Sequence, residues 1–149
     1  MSFRDVRLEI LQEHRGLQLA LATVEVLCVR LEGGDPGAAQ ALLDSGRALY
    51  QQFAAHLNLE DQILLPTLEA VAGSASASQL AAEHREQREL LAYLLGRMGH
   101  PGRPALLLAR ELRQFAALVR EDMREEEETL LVLDAPAERP AGVANALIK

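Results

Sequence analysis

His56-Leu-Asn-Leu-Glu60-Asp-Gln-Ile-Leu-Leu-Pro66 is the stretch on which the fold turns, because a second stretch, Asp122-Met-Arg-Glu-Glu126-Glu-Glu-Thr-Leu-Leu-Val132, repeats its pattern. Each carries a ligand-type side chain, three intervening residues, a glutamate, and a Leu-Leu pair four residues beyond that glutamate. Positions i and i+4 lie on one face of a helix, so each stretch aims two polar groups in a single direction. The apolar residues around them decide whether that direction is the core or the solvent.

Working outward, four long helical patterns are separated by short breaker clusters. The first runs from about Phe3 to Leu31 and stops at Glu32-Gly-Gly-Asp-Pro-Gly37. The second is expected to start with Asp35 as N-cap and Pro36 at the first helical position, and to reach about Ala72 with Pro66 as a kink or early stop. Gly73-Ser-Ala-Ser-Ala-Ser78 reads as a linker, one of whose serines caps the third helix, which ends near Met98. Gly99-His-Pro-Gly-Arg103 breaks the chain again, and Pro104 opens a fourth helix ending near Leu133. Residues 134–149, with Pro136 and Pro140, read as a C-terminal tail. Strand-type alternation is absent. Short connections between helices of similar length predict an all-α, up-down-up-down antiparallel four-helix bundle over residues 1–133.

The seams place the polar groups inside that bundle. Val6, Ile10, His14, Leu17, Leu21, Val24, Cys28 and Leu31 step by threes and fours along the first helix. The second gives Leu42, Leu49, Phe53, His56, Glu60, Ile63 and Thr67, and the third gives Leu80, His84, Gln87, Leu91, Leu94 and Met98. The fourth gives Leu108, Leu112, Phe115, Val119, Asp122, Glu126, Thr129 and Leu133. Each seam is apolar except for one polar interruption. At about 1.5 Å per residue, antiparallel running brings the four interruptions to comparable heights.

The halves also echo each other, with Glu13-His14-Arg15 returning as Glu83-His84-Arg85. Related by an approximate two-fold axis, they gather His14, His56, His84, Glu60, Asp122 and Glu126 around one point. A lone seam histidine is more often a hydrogen-bonded core residue than a ligand. Three buried carboxylates are different: without a cation each loses several kcal/mol of hydration or takes up a proton. No Lys or Arg falls in the central seams to compensate them. The set suits two cations bridged by Glu60 and Glu126, with His14 and His56 completing one shell and His84 and Asp122 the other. Mixed imidazole and carboxylate ligands favour iron, with manganese as the alternative, over a structural zinc site. The Glu125–Glu128 run is read as a solvated face in which only Glu126 is in register, His100 as a loop residue, and Cys28 as a small core filler.

The pattern resembles the hemerythrin-like, histidine-histidine-glutamate cation-binding family over about residues 3 to 133, most specifically in His56-x-x-x-Glu60 followed by Leu64-Leu-Pro66. The resemblance implies a four-helix bundle holding a non-haem di-iron centre. It maps the family's first- and third-helix histidines onto His14 and His84 and its bridging carboxylates onto Glu60 and Glu126. Two positions depart from it: Asp122 stands where the fourth helix usually carries histidine, and Arg88 where oxygen carriers have a second third-helix histidine. Trading imidazole for carboxylate makes the ligand set harder and more anionic, and moves the centre toward the carboxylate-rich pattern of ferritin-like oxidases. The implied function is binding, sensing or reaction of dioxygen or a related small oxidant such as peroxide or nitric oxide. A regulatory or interaction bundle with a structural metal site is the alternative.

Bulk properties set the remaining bounds. At 149 residues the chain suffices for one domain that buries about 70% of its unfolded surface. Hydrophobic content is 49% but aromatics are only 3%, so Leu, Ala and Val fill the core, as packed helices require. With 22 acidic and 15 basic residues the net charge is −7, which argues against nucleic-acid and anionic-membrane partners. A single cysteine leaves no disulfide framework. The charged opening Phe3-Arg-Asp-Val-Arg-Leu-Glu9 has no signal-peptide character, and no run of about 18 apolar residues spans a bilayer. A soluble cytoplasmic protein is expected.

Overall fold

The computed structural model describes residues 2–97, 100, 102 and 104–130. Four helices form: α1 (Phe3–Glu32), α2 (Ala38–Ala72), α3 (Ser74–Arg97) and α4 (Ala105–Glu125), the last running into a π-helical turn at Glu126–Leu130. No strand occurs among the described residues. Packing of α1 on α2 and α4, and of α3 on α2 and α4, closes the expected bundle. No helix among the described residues is long and apolar enough to cross a membrane. The expected tail, residues 134–149, lies outside the described residues, as do Met98 and Leu133.

The helix ends follow local chemistry. Ser2 and Asp5 form a reciprocal capping box at the start of α1: the Asp5 N–H donates to Ser2 Oγ and the Ser2 N–H to the Asp5 carboxylate, both at 3.2 Å. Asp35 is not the N-cap of α2. Its side chain accepts the Gly37 N–H and a bond from Arg30 Nη2, so Pro36 and Gly37 remain in a turn and the helix starts at Ala38. Pro66 does not stop α2, which continues to Ala72 with the proline on its exposed face. The expected serine linker contracts to Gly73 alone, whose φ of 97° lies in the left-handed region that glycine tolerates.

The core divides into two apolar clusters. Phe3, Val6, Ile10, Leu64, Leu68 and Leu80 make the smaller one. The larger holds, among others, Leu17, Leu57, Leu91, Val119 and Met123. Each helix carries its polar interruption at the boundary: His14 between Ile10 and Leu17, Glu60 between Leu57 and Leu64, His84 between Leu80 and Leu91, and Glu126 one turn past Met123. The bundle is therefore two apolar blocks separated by one polar layer.

The seams shift at two places. Beyond Glu60 the buried residues of α2 are Leu64 and Leu68, while Ile63 and Thr67 are half-buried. On α4 burial runs Val119, Met123, Glu126, which leaves Asp122 half-buried at the edge of the layer.

Candidate metal centre

Glu60 is the middle of the polar layer. It is 1% exposed, and its two oxygens face different partners. Oε2 lies 3.4 Å from His56 Nε2 and 3.6 Å from His14 Nε2, while Oε1 lies 3.1 Å from His84 Nε2. Glu126 Oε1 approaches His14 Nε2 at 3.0 Å from the other side. One ligand-type atom from each of His14, His56, Glu60 and Glu126 falls within 4.8 Å of all the others. His84 closes on the opposite oxygen of Glu60. Asp122 stays outside this group, on the wall of a cavity of about 10 Å³ that His14, His56, Glu60, His84 and Glu126 also line.

The layer is held from outside by two acids that the seam reading left on the surface. His14 Nδ1–H donates to Glu127 Oε2 at 2.7 Å, and His84 Nδ1–H donates to Asp61 Oδ1 at 2.9 Å. In both rings this leaves Nε2 directed at the central carboxylates, the arrangement that orients a metal-ligating imidazole. Glu127, expected on a solvated face, is half-buried. The π-helical turn opens at Glu126, so consecutive glutamates reach the two nitrogens of one ring. Asp61 is in turn bonded by Arg88 Nη2 at 2.6 Å, and Arg88 also reaches Asn58 Oδ1. Arg88 thus anchors a partner of His84. The sequence signal for both acids was present: each follows directly on a central glutamate, as Glu60-Asp61 and Glu126-Glu127.

Electrostatics show what the layer lacks. Burial alone would lower the pKa of His14, but Glu126, Glu60 and Glu127 outweigh it and raise it to about 10. Burial is likewise overcome at His84, which Glu60 and Asp61 raise to about 9. Burial opposes ionisation of Glu60, yet Glu126 and the three histidines hold it well below the usual carboxylate range. Burial and the adjacent Glu60 charge push Glu126 up to about 8. Burial, with Glu83 and Glu125, pushes Asp122 up to about 6. Among protein groups alone, protons must therefore supply the positive charge that the layer demands.

Protons do not complete it. His14 Nε2, His56 Nδ1, Glu60 Oε2 and Glu126 Oε1 are buried without a hydrogen-bond partner; the 3.0 Å approach of His14 to Glu126 is an ion-pair distance lacking hydrogen-bond geometry. Four such atoms in one layer are costly, at roughly 1–3 kcal/mol each. A cation ligated by imidazole Nε2 and carboxylate oxygens would satisfy three of them together, His14 Nε2, Glu60 Oε2 and Glu126 Oε1, and release the bound protons. The donor set, mixed imidazole and carboxylate, fits a metal cation.

No curated protein and no solved structure matches the chain. A family model described as the hemerythrin HHE cation binding domain matches residues 7–133, which include all six sequence-predicted site residues, and the chain belongs to that family.

Proposed function

We propose that this is a hemerythrin-like non-haem di-iron protein that binds, senses or reacts with dioxygen or a related small oxidant. The carrying observation is the split engagement of Glu60, whose Oε2 faces His14 and His56 and whose Oε1 faces His84. A carboxylate aimed two ways is suited to bridging. His14, His56 and His84 would be terminal ligands, Glu60 would bridge, and Glu126 would join it across the layer.

When bound, two adjacent iron ions supply two electrons to a small oxidant, or hold it reversibly. The chain's own contribution is exclusion and orientation. Phe53, Leu57, Val119 and Met123 wall the central cavity and limit water. At about 10 Å³ that space has room for about one water molecule, far short of the 300 Å³ or more of a site for an organic substrate. Glu127 and Asp61 fix the rings of His14 and His84.

The test is metal content per chain, with the visible spectrum, on protein purified without added metal or chelator. About two irons per chain, with ferric absorption that responds to reductant and oxidant, is the expected result. No metal after anaerobic ferrous reconstitution would overturn the reading and leave a helical interaction module.

A further inference from the structure

The centre is buried on three of its sides and approached on the fourth. Of the four neighbouring helix pairs, α3–α4 is the most sparsely packed among the described residues. Between these helices lies a cleft of about 200 Å³ with Glu83 on one wall and Asp122 and Glu125 on the other. Its inner end is Glu126, which is only 8% exposed and whose unpartnered Oε1 lies in the central layer, 3.0 Å from His14 Nε2. Asp122 and Glu126, one helical turn apart, line both this cleft and the central cavity. No basic residue lines the cleft among the described residues. The α2–α3 side is the opposite case, since the Arg88 guanidinium sits there against Asp61.

We propose that the acidic α3–α4 cleft is the portal through which divalent cations reach the centre, with Glu83 and Asp122 as a transit site that passes the ion to Glu126. The inference rests on the metal-binding reading above and deepens it. A hydrated divalent ion sheds water in steps, and carboxylates on facing walls can replace that water one ligand at a time. A cleft of one charge sign with low-dielectric walls also concentrates counter-ions and raises association rates by roughly 10 to 10³. A buried acid that lines the cleft and carries an unpartnered oxygen in the central layer gives the ion somewhere to go. Asp122, expected from the sequence to be a terminal ligand, takes a different place in this account: it guides the ion and does not keep it.

The test is stopped-flow loading of the metal-free full chain with Co(II), followed by its visible absorption and by metal content at completion. Glu83→Gln is expected to slow loading about tenfold at low salt and to flatten its dependence on ionic strength. Final content and the final spectrum should match the parent. Adding Asp122→Asn should slow loading further with the same end point. Glu32→Gln, at an acid beside Arg113 and away from the cleft, is the charge-matched control and should load at the parent rate. Unchanged rates in Glu83→Gln and in the double variant would overturn the portal. Lower content or an altered spectrum in Asp122→Asn would overturn the transit role and make Asp122 a ligand. A parent chain that takes up no Co(II) would instead sink the metal reading itself, so the two failures are distinguishable.

Discussion

His14 and His84 stand on opposite sides of Glu60, and each gives its Nδ1–H to the acid that directly follows a central glutamate. The device is the same, but the charge behind it is not. Asp61 behind His84 is paired with Arg88, whereas Glu127 behind His14 has no arginine or lysine partner among the described residues. An outer carboxylate makes an imidazole a stronger donor, and a guanidinium on that carboxylate takes part of the effect away. The internal repeat thus places two similar imidazoles in unequal surroundings: against the opposing effect of burial, Glu126 and Glu60 raise His14 to about 10, while Glu60 and Asp61 raise His84 to about 9. The lesson is that a two-fold arrangement of ligands need not give two equivalent metal positions.

The largest effect belongs to the residue that both shells share. Glu60→Ala is expected to remove nearly all metal, a loss beyond the roughly 10–100-fold that outer residues cause, because one carboxylate faces all three histidines. His100→Ala, in the exposed connection between α3 and α4, should leave the content unchanged. Elemental analysis per chain checks both. Retained metal in Glu60→Ala would break the comparison at its centre.

Next come the two outer acids. Glu127→Gln and Asp61→Asn should each weaken metal binding by about 10–100-fold. Asp61→Asn should be the worse of the two, since it also leaves the Arg88 cation unpaired beside His84. Competition titration against a chelator of known affinity ranks them. Equal losses would mean that Arg88 plays no part in the difference.

The pH dependence of the metal-free chain sharpens the same contrast. A histidine whose folded pKa is raised contributes stability that is complete below its unfolded value, 6.5, and lost as pH rises through the folded value, about 9 for His84 and about 10 for His14. Glu126, raised from 4.5 to about 8, acts with the same sign, since the folded chain holds its proton where the unfolded chain does not. The depressed Glu60 acts oppositely, but only as pH falls below 4.5. Between about pH 7 and 10 the Tm of metal-free protein should therefore fall, and the loaded protein should vary less because its ligands hold no protons. A Tm that rises over this window would contradict the sign.

Much of this centre was legible before any coordinates. Helical periodicity exposes a polar residue in an apolar seam, and His14, His56, Glu60, His84 and Glu126 are all buried. Precession limits how far a seam can be read. A strict 3.5-residue step drifts about 20° per heptad on a straight helix, so along the 35 residues of α2 the buried set slides from Ile63 and Thr67 to Leu64 and Leu68. The same slip on α4 buries Met123 and moves Asp122 to the rim, just before the π-helical turn changes the register again. Asp61 and Glu127 were missed for a different reason. They sit one residue past the seam and earn their place only by contact with a histidine more than 20 positions away, at 23 and 113 residues' separation. No local period reports such a pairing.

Arg88→Leu makes the smallest and most selective change. Arg88 and Asp61 are 31% and 32% exposed, so solvent screens their pair and it is worth at most about 1 kcal/mol. Removing the guanidinium returns the full Asp61 charge to His84 and takes a positive charge from the neighbourhood of the bound cation. Both changes act in one direction: the weaker of the two binding steps should tighten by up to about fivefold and approach the stronger. Isothermal titration that resolves the two steps measures this directly. Weaker binding instead would mean that Arg88 serves to hold Asp61 in place, and that the inequality between the shells lies in geometry and not in charge.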